Sequence, residues 1–313
     1  MLKHETGGDP MNHLKWTRKT TEKVAQELRR LDIRISAKTV GRLLDEMGFS
    51  LRVNHKCLES GNNNPPPRKV RDRQFQYINR QRRKFASSGN PIISVDTKKK
   101  EKVGNFKNIG SSWQKTATVY LVNDHDFLQD AEGMAVPFGI LDTLANRGFV
   151  AVGSSHETPA FAVDAIALWW KSQGRSRYPN AKELLIFADC GGGNSARSHA
   201  WKYHLQHDLC NTHGLKVTVC HYPPGSSKWN PIEHHLFSYI SGNWAGIPLN
   251  SYETVLNYIS TTKTSTGLRV TAKLIRKDYP KGENISKSEM SALSLSYQKT
   301  LPGWNYTLAP SRM

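Results

Sequence analysis

Three short runs of mostly apolar residues, each leading to a carboxylate, constrain the fold of this chain more than any other feature. Residues 184–188 run directly into Asp189, which three glycines follow closely, and residues 91–95 run into Asp96. The run 217–220 leads through a Pro-Gly loop to a helix with Glu233 in its first turn. Such runs between turn residues are typical of buried strands, and acids at the ends of neighbouring strands meet at one sheet edge. The sequence therefore predicts an α/β fold with a mixed sheet and an acidic edge.

These three acids form a set of ligands suited to hard divalent cations, because Mg²⁺ prefers oxygen ligands. Asp96, Asp189 and Glu233 are predicted to bind two Mg²⁺ (or Mn²⁺) ions and to catalyse phosphoryl transfer. Each acid also has a local structural interpretation. Asp96 fits a strand-end turn, Asp189 fits a helix cap, and Glu233 fits an Asn-x-x-Glu capping box. The occurrence of all three in a basic chain favours the metal site.

The charge of the chain indicates a partner rich in phosphate. The 313 residues carry a net charge of +18, and residues 1–100 hold 23 Lys and Arg against 10 Asp and Glu. A basic surface is typical of nucleic-acid binding, although a solvated surface without a ligand is the plainer alternative. Residues 1–10 carry acids and no apolar core, so we expect no secretory signal there. The sequence has no apolar stretch of roughly 20 residues, and its four cysteines lack zinc spacing. We therefore predict a cytoplasmic protein with reduced thiols and no membrane partner.

Residues 16–49 have the pattern of a helix-turn-helix. Thr20 or Thr21 can cap a first helix, and Ser36 can cap a second helix that Gly48 ends. The predicted inner faces consist of Val24, Leu28, Leu31, Val40, Leu43, Leu44 and Met47. The residues predicted to contact a DNA major groove and its phosphates are Lys38, Thr39 and Arg42. A short helical hairpin without a DNA-binding role is the alternative.

The composition predicts three parts: an all-α helix-turn-helix domain (1–55), a basic linker and helix (56–90), and an α/β catalytic domain (91–313). The helix of the middle part either follows a DNA backbone or is an ordinary solvated helix. Within the third part, predicted strands lie near 91–96, 117–122, 134–140, 148–153, 184–189 and 216–221, and predicted helices at 159–173, 194–213 and 230–242. Basic side chains predicted to bind phosphates near the acids are Lys98, Lys99, Lys100 and Lys228. Gly191, Gly192 and Gly193 are predicted to let a DNA backbone approach closely.

The run from His221 to His234, which contains Asn230-Pro231-Ile232-Glu233, resembles the last catalytic block of DDE transposases. The chain more closely resembles the Rhodopirellula-type transposase DDE domain of bacterial insertion sequences over about residues 10–310. Further matching segments are Asp189–Gly193, Asn194, Arg197, Trp201-Lys202, Ser241–Leu249, Phe106–Asn108, Asp126-Phe127 and Trp304–Tyr306.

The resemblance implies an RNase H-like catalytic domain that cuts transposon ends and joins the 3′-OH to target DNA. It maps Asp96, Asp189 and Glu233 onto the three metal-binding acids and adds Arg197 to the predicted DNA contacts. The implied partners are double-stranded DNA, as terminal repeats and as target, and further copies of the chain assembled on that DNA in the nucleoid. Two departures are Cys190, where the family has glycine, and an N-terminus that is expected to be truncated.

Two other functions fit the same residues. A structure-specific nuclease of the same fold would cut DNA without joining it. A truncated, inactive transposase would bind DNA without cutting it.

Overall fold

The computed structural model describes residues 6–9, 14–17, 19–49, 66–112 and 120–311, and it forms two compact units, Met1–Ser60 and Gly61–Met313. Residues 56–65 of the predicted basic linker lie outside the described residues. Among the described residues, no helix is long and apolar enough to span a membrane.

The N-terminal unit contains two capped helices where the sequence predicts them. The helices are α1 (Thr21–Arg29) and α2 (Ala37–Glu46), and the Thr20 and Ser36 hydroxyls accept the N–H groups of Lys23 and Thr39. The unit is not all-α, because β1 (Thr6–Asp9) pairs antiparallel with β2 (Leu14–Thr17). The sequence analysis did not predict this pair of strands.

The core of this unit is smaller than predicted. Its buried members are Val24, Ala25 and Val40, with Leu28, Ile35 and Leu44 partly buried against them. Leu31, Leu43 and Met47 were expected inside but are 59%, 38% and 70% exposed. Leu31 lies outside the core because it follows the end of α1. On α2, the side that faces the core consists of the i, i+4 pair Val40 and Leu44, so Leu43 and Met47 lie on the uncovered side.

The second unit is a mixed sheet covered by helices on both faces. Its strands are β3 (Ile92–Thr97), β4 (Glu101–Val103), β5 (Gly133–Asp142), β6 (Arg147–Gly153), β7 (Glu183–Ala188), β8 (Lys216–His221), β9 (Arg269–Ile275), β10 (Leu295–Tyr297) and β11 (Asn305–Leu308). The helices are α3 (Arg68–Ser87), α4 (Pro159–Trp169), α5 (Arg175–Arg177), α6 (His199–His204), α7 (Ser238–Asn243), α8 (Tyr252–Ser260) and α9 (Lys287–Ser291).

The sheet order is β10-β11-β8-β7-β3-β5-β6-β9, and β4 adds to β5. Strands β3, β7 and β8 are parallel, whereas β5 is antiparallel to both β3 and β6. This confirms the predicted mixed α/β fold. In the parallel part, Val95 lies opposite Ala188, and Ala188 lies opposite His221, so β3, β7 and β8 end together at one edge.

Alternating side chains of the strands separate the core into two faces. Ile93, Val95, Ile186 and Val219 face a cluster that includes α4. On the other face, Ile92, Leu185, Phe187 and Cys220 pack against α3 through Tyr77, Ile78 and Phe85. The basic helix assigned to the linker is therefore part of the sheet unit, and its apolar side covers the strands.

Several predicted elements differ in their ends or their helical form. The helix predicted over 194–213 begins only at His199 and widens into a π-helical segment, Leu205–Asn211. The helix predicted over 230–242 contains another such segment, Glu233–Phe237, before α7. The strand predicted near 117–122 lies partly outside the described residues, and its described part, 120–122, is not a strand.

Candidate active site

Two of the predicted acids leave neighbouring parallel strands at the same edge of the sheet. Asp96 is in the last part of β3, and Asp189 directly follows β7. Because Val95 and Ala188 are paired, the two carboxyl-bearing residues occupy equivalent places on adjacent strands. The strand pairing therefore produces the arrangement that the sequence predicts for these two acids.

Asn230 connects both acidic strands to the segment that carries Glu233. Its fully buried amide Nδ2 donates to Asp189 Oδ1 at 3.0 Å and to the Val95 carbonyl oxygen at 3.4 Å. Its Oδ1 accepts from the Ser94 hydroxyl and from the Ile232 N–H. One side chain thus ties the ends of β3 and β7 to the start of the third acidic element, three residues before Glu233.

The capping-box interpretation of this segment is wrong. The Asn230 N–H donates to the Ser227 carbonyl at 2.8 Å instead of to the Glu233 carboxylate. Within the described residues, the Glu233 carboxylate has no hydrogen bond or ion pair, and its side chain is partly exposed. Asn230 was predicted as a helix cap, and its bond to Asp189 was missed, because the sequence does not indicate which distant strand ends it meets.

The three acids influence one another electrostatically. The pKa of Asp96 is raised to about 8, mainly by burial and also by the charges of Asp189, Glu233 and Glu157, while the hydrogen bond from the Thr97 N–H acts to lower it. The pKa of Asp189 is raised to about 6 by burial and by the charge of Glu233, while the hydrogen bond from Asn230 acts to lower it. A cation bound by these carboxylates would relieve their mutual repulsion.

In the described part of the chain, no three or more His, Cys, Asp or Glu side chains converge tightly enough to hold one ion. The donor chemistry nevertheless fits Mg²⁺ or Mn²⁺. Mg²⁺ is usually bound by one or two carboxylates, with waters and substrate phosphates as its remaining ligands. A pair such as Asp96 and Asp189 meets that requirement without a cage of three acids.

A fourth acid, Glu157, lies beside this site and was missed by the sequence analysis. It follows β6, contributes to the raised pKa of Asp96, and forms an ion pair with Lys100 at 3.3 Å. Gly192 adopts a φ of +67°, and a Cβ at this position would lie 2.8 Å from Glu157 Oε1. A Cβ on Gly193 would lie 3.0 Å from the Thr158 carbonyl oxygen. These two glycines therefore permit close packing within the protein, whereas the sequence analysis related them only to the approach of a DNA backbone.

The residue that departs from the family pattern, Cys190, is accommodated in this turn. Its thiol donates to the Tyr222 carbonyl at 3.0 Å, and its carbonyl accepts the Ser195 hydroxyl at 2.9 Å. Cys190 is not at positive φ, so the turn does not require glycine there.

The basic residues predicted near the acids have different environments. Lys98 is buried, with its ammonium 2.6 Å from Glu101 and 4.6 Å from the centre of the Trp244 ring. Because this ammonium is already paired inside the protein, the structure argues against the phosphate contact predicted for it. Lys99, Arg197 and Lys228 are exposed, and Lys100 is 45% exposed beside Glu157. The exposed Trp229 lies beside Lys228, whose Nζ is 5.6 Å from the centre of the Trp229 ring. The sequence analysis did not predict this contact.

In the N-terminal unit, the predicted DNA contacts lie on one helix. Lys38 is exposed, the Thr39 hydroxyl is hydrogen bonded to Ser36 at 2.9 Å, and Arg42 forms an ion pair with Glu46 at 2.9 Å. Their contact with DNA stays a prediction.

One known protein family matches nearly the whole chain. The family model of the Rhodopirellula transposase DDE domain matches residues 1–310. Among solved structures, the chain is similar to the Mos1 transposase paired-end complex with left transposon end, at 16% identity and a TM-score of 0.43 over 77% of this chain and 65% of that chain. It is also similar to the Mos1 strand transfer complex, at 17% identity and a TM-score of 0.42 over 77% of this chain and 64% of that one. The chain spans about 65% of the length of the Mos1 chain in the first of these structures. No curated protein matches it.

Proposed function

The chain belongs to the family of Rhodopirellula transposase DDE domains, and from this premise we propose that it is a DNA transposase that cuts transposon ends and joins the 3′-OH to target DNA. The main support is the hydrogen bonding of Asn230, which ties Asp189 to the end of β3 and to the segment that carries Glu233. The strand order around β5, β3, β7 and β8, with β5 antiparallel, is that expected of an RNase H-like domain.

Asp96, Asp189 and Glu233 are the proposed metal ligands and catalytic acids. Two bound Mg²⁺ or Mn²⁺ ions would activate the attacking oxygen and stabilise the leaving 3′ oxygen. Asp96 and Asp189 would each supply carboxylate oxygens once deprotonated, and Asn230 would keep Asp189 in one orientation. The partly exposed Glu233 would complete its interactions only when cation and DNA are bound.

The proposed DNA contacts form two groups. Lys99, Lys100, Arg197 and Lys228 would neutralise phosphates near the acids, while Lys38, Thr39 and Arg42 would bind a terminal repeat through a helix-turn-helix. Double-stranded DNA is therefore the proposed partner, with several copies of the chain assembled on it in the bacterial nucleoid.

A strand-transfer assay with pre-cleaved transposon ends tests the proposal. We expect joining of the 3′ ends to target DNA in Mg²⁺ or Mn²⁺, and loss of joining in Asp189→Asn with DNA binding retained. Asp124→Asn is the matched control, because the same substitution is made at a carboxylate that is 91% exposed. Cutting without joining would identify a nuclease instead, and binding without either reaction would identify a DNA-binding protein only.

A further inference from the structure

A buried histidine is hydrogen bonded to the backbone of Asp189. His221, the last residue of β8, is fully buried, and burial away from water favours the neutral ring over the charged one. Its Nδ1 lies 2.8 Å from the backbone carbonyl oxygen of Asp189, and its Nε2 lies 3.1 Å from the Tyr306 hydroxyl. The indole N–H of Trp201 donates to the same hydroxyl at 2.8 Å.

The direction of every hydrogen bond in this series follows from the chemistry of its groups. A backbone carbonyl only accepts, so His221 Nδ1 must carry the ring proton. The Nε2 of a neutral ring is then an acceptor, so the Tyr306 hydroxyl must donate to it. That hydroxyl is free to do so, because it accepts from the indole of Trp201, which only donates. The chain of donors therefore runs from Trp201 through Tyr306 and His221 to Asp189.

The backbone on either side of this series is also fixed. The Gln74 amide of α3 donates to the His221 carbonyl at 2.8 Å and to Asn305 Oδ1 at 2.8 Å, and the Asn305 amide donates back to Gln74 at 2.6 Å. Both amides are fully buried. The position of His221 is thus set by residues from α3 and from β11 as well as from its own strand.

We propose that His221 is a positioning residue that, with Tyr306 and Trp201, fixes the backbone carbonyl of Asp189 and so aims its carboxylate at the bound cation. This inference rests on the proposed function, because it gives Asp189 the role of a metal ligand. Partners that orient a metal ligand typically change metal affinity or activity by about 10- to 100-fold when they are replaced. The inference also gives a role to Trp201 and Tyr306, which lie in segments that match the family pattern.

Two substitutions of His221 separate positioning from stability. His221→Asn keeps a donor close to the place of Nδ1, whereas His221→Gln places its amide near Nε2 and loses the donor to Asp189. Both variants lose the aromatic ring, so both are expected to have lower thermal stability. At a temperature where both are folded, we expect His221→Asn to keep cleavage within several-fold of the unchanged protein and His221→Gln to lose about 10- to 100-fold, with a higher Mn²⁺ concentration at half-maximal rate. Equal activity of the two folded variants would overturn the proposal.

A second measurement does not depend on activity. The ¹⁵N shifts of the histidine rings in the unchanged protein report which ring nitrogen is protonated. We expect the His221 signal of the Nδ1–H form, and loss of the hydrogen bond to Nε2 in Tyr306→Phe. An Nε2–H form would overturn the inference even if the protein proved to be a transposase. The Nδ1–H form in a protein that neither cuts nor joins DNA would instead leave the hydrogen-bonded series in place and reject the proposed function.

Discussion

The acidic edge of the sheet and the two-helix N-terminal unit hold their functional side chains in opposite ways. At the edge, Asp189 is bonded to Asn230 and its backbone to His221, and Lys98 is buried against Glu101. In the N-terminal unit, three small apolar side chains form the buried core, and Lys38 is exposed on α2. Groups that are fixed in place suit chemistry, which needs one geometry, whereas exposed cations suit binding to phosphates. Substitutions at the edge should therefore change rates, and substitutions in the N-terminal unit should change affinity.

The largest effect is expected for Asp96→Asn. Loss of one member of a catalytic unit should lower cleavage by at least about 1,000-fold. The same change should stabilise the protein without metal, because the pKa of Asp96 in the folded state is raised to about 8. Ionisation of this group therefore removes stability as the pH rises from its unfolded pKa through about 8, and asparagine cannot ionise. Thermal unfolding should show a larger gain for the variant at pH 8 than at pH 5. A loss of stability at pH 8 would contradict the assigned environment of Asp96.

Metal binding should depend on pH for the same reason. Carboxylate ligands must lose their protons, so the apparent affinity for Mn²⁺ should rise by about tenfold per pH unit between about pH 6 and 8. Calorimetric titration at pH 6, 7 and 8 measures this slope, with Asp96→Asn as the control that should flatten it. If the affinity of the unchanged protein for Mn²⁺ does not vary with pH, Asp96 is not a metal ligand.

The next effect is expected for Asn230→Ala. This change removes the donor to Asp189 and leaves the buried Ser94 hydroxyl without its partner. Cleavage should fall by about 10- to 100-fold, and the free energy of unfolding should fall by about 1–3 kcal/mol. Asn284→Ala provides the control, because Asn284 is exposed. Full activity in Asn230→Ala would show that this cross-link does not position the acids.

Two adjacent lysines, Lys98 and Lys99, allow a buried, paired cation to be compared with an exposed one. Lys98→Ala leaves Glu101 partly buried without its partner and should destabilise the protein by about 3 kcal/mol. Lys99→Ala removes an exposed cation and should instead lower DNA affinity by severalfold with little change in unfolding. Chemical denaturation and DNA-binding isotherms of the two variants measure both properties. The reverse result would place the phosphate contact at Lys98.

The smallest effects are expected in the N-terminal unit. Lys38→Ala and Arg42→Ala should each reduce DNA affinity by about three- to tenfold and lower the slope of log affinity against log salt by roughly one. Lys281→Ala, an exposed lysine of the other unit, is the control. At saturating DNA, the cleavage rate of the two N-terminal variants should be unchanged. A lower rate at saturation would show that α2 contributes to the chemistry as well as to binding.

Local sequence patterns were sufficient for the parts of the site that depend on single elements. The apolar runs that end at Asp96 and Asp189 are strands that meet at one edge, and Thr20 and Ser36 cap the predicted helices. These features depend on the nearest few residues, which the sequence displays directly.

The features that were missed depend on partners from distant parts of the chain. Lys98 is buried because Trp244 packs over it, and Asn230 is bonded to Asp189 because a loop from beyond β8 returns to the end of β7. Glu157 reaches the site from the turn after β6. Neither periodicity nor spacing in the sequence indicates these contacts, because the order of the strands in the sheet determines which distant residues come together.

The pairing of β11 with β8 has a consequence during protein synthesis. Tyr306 and Asn305, which support His221, are translated more than seventy residues after Glu233, which is the last of the three acids. A nascent chain on the ribosome can therefore contain every proposed metal ligand while the support behind Asp189 does not yet exist. The support behind Asp189 is therefore completed only after β11 has emerged and paired with β8.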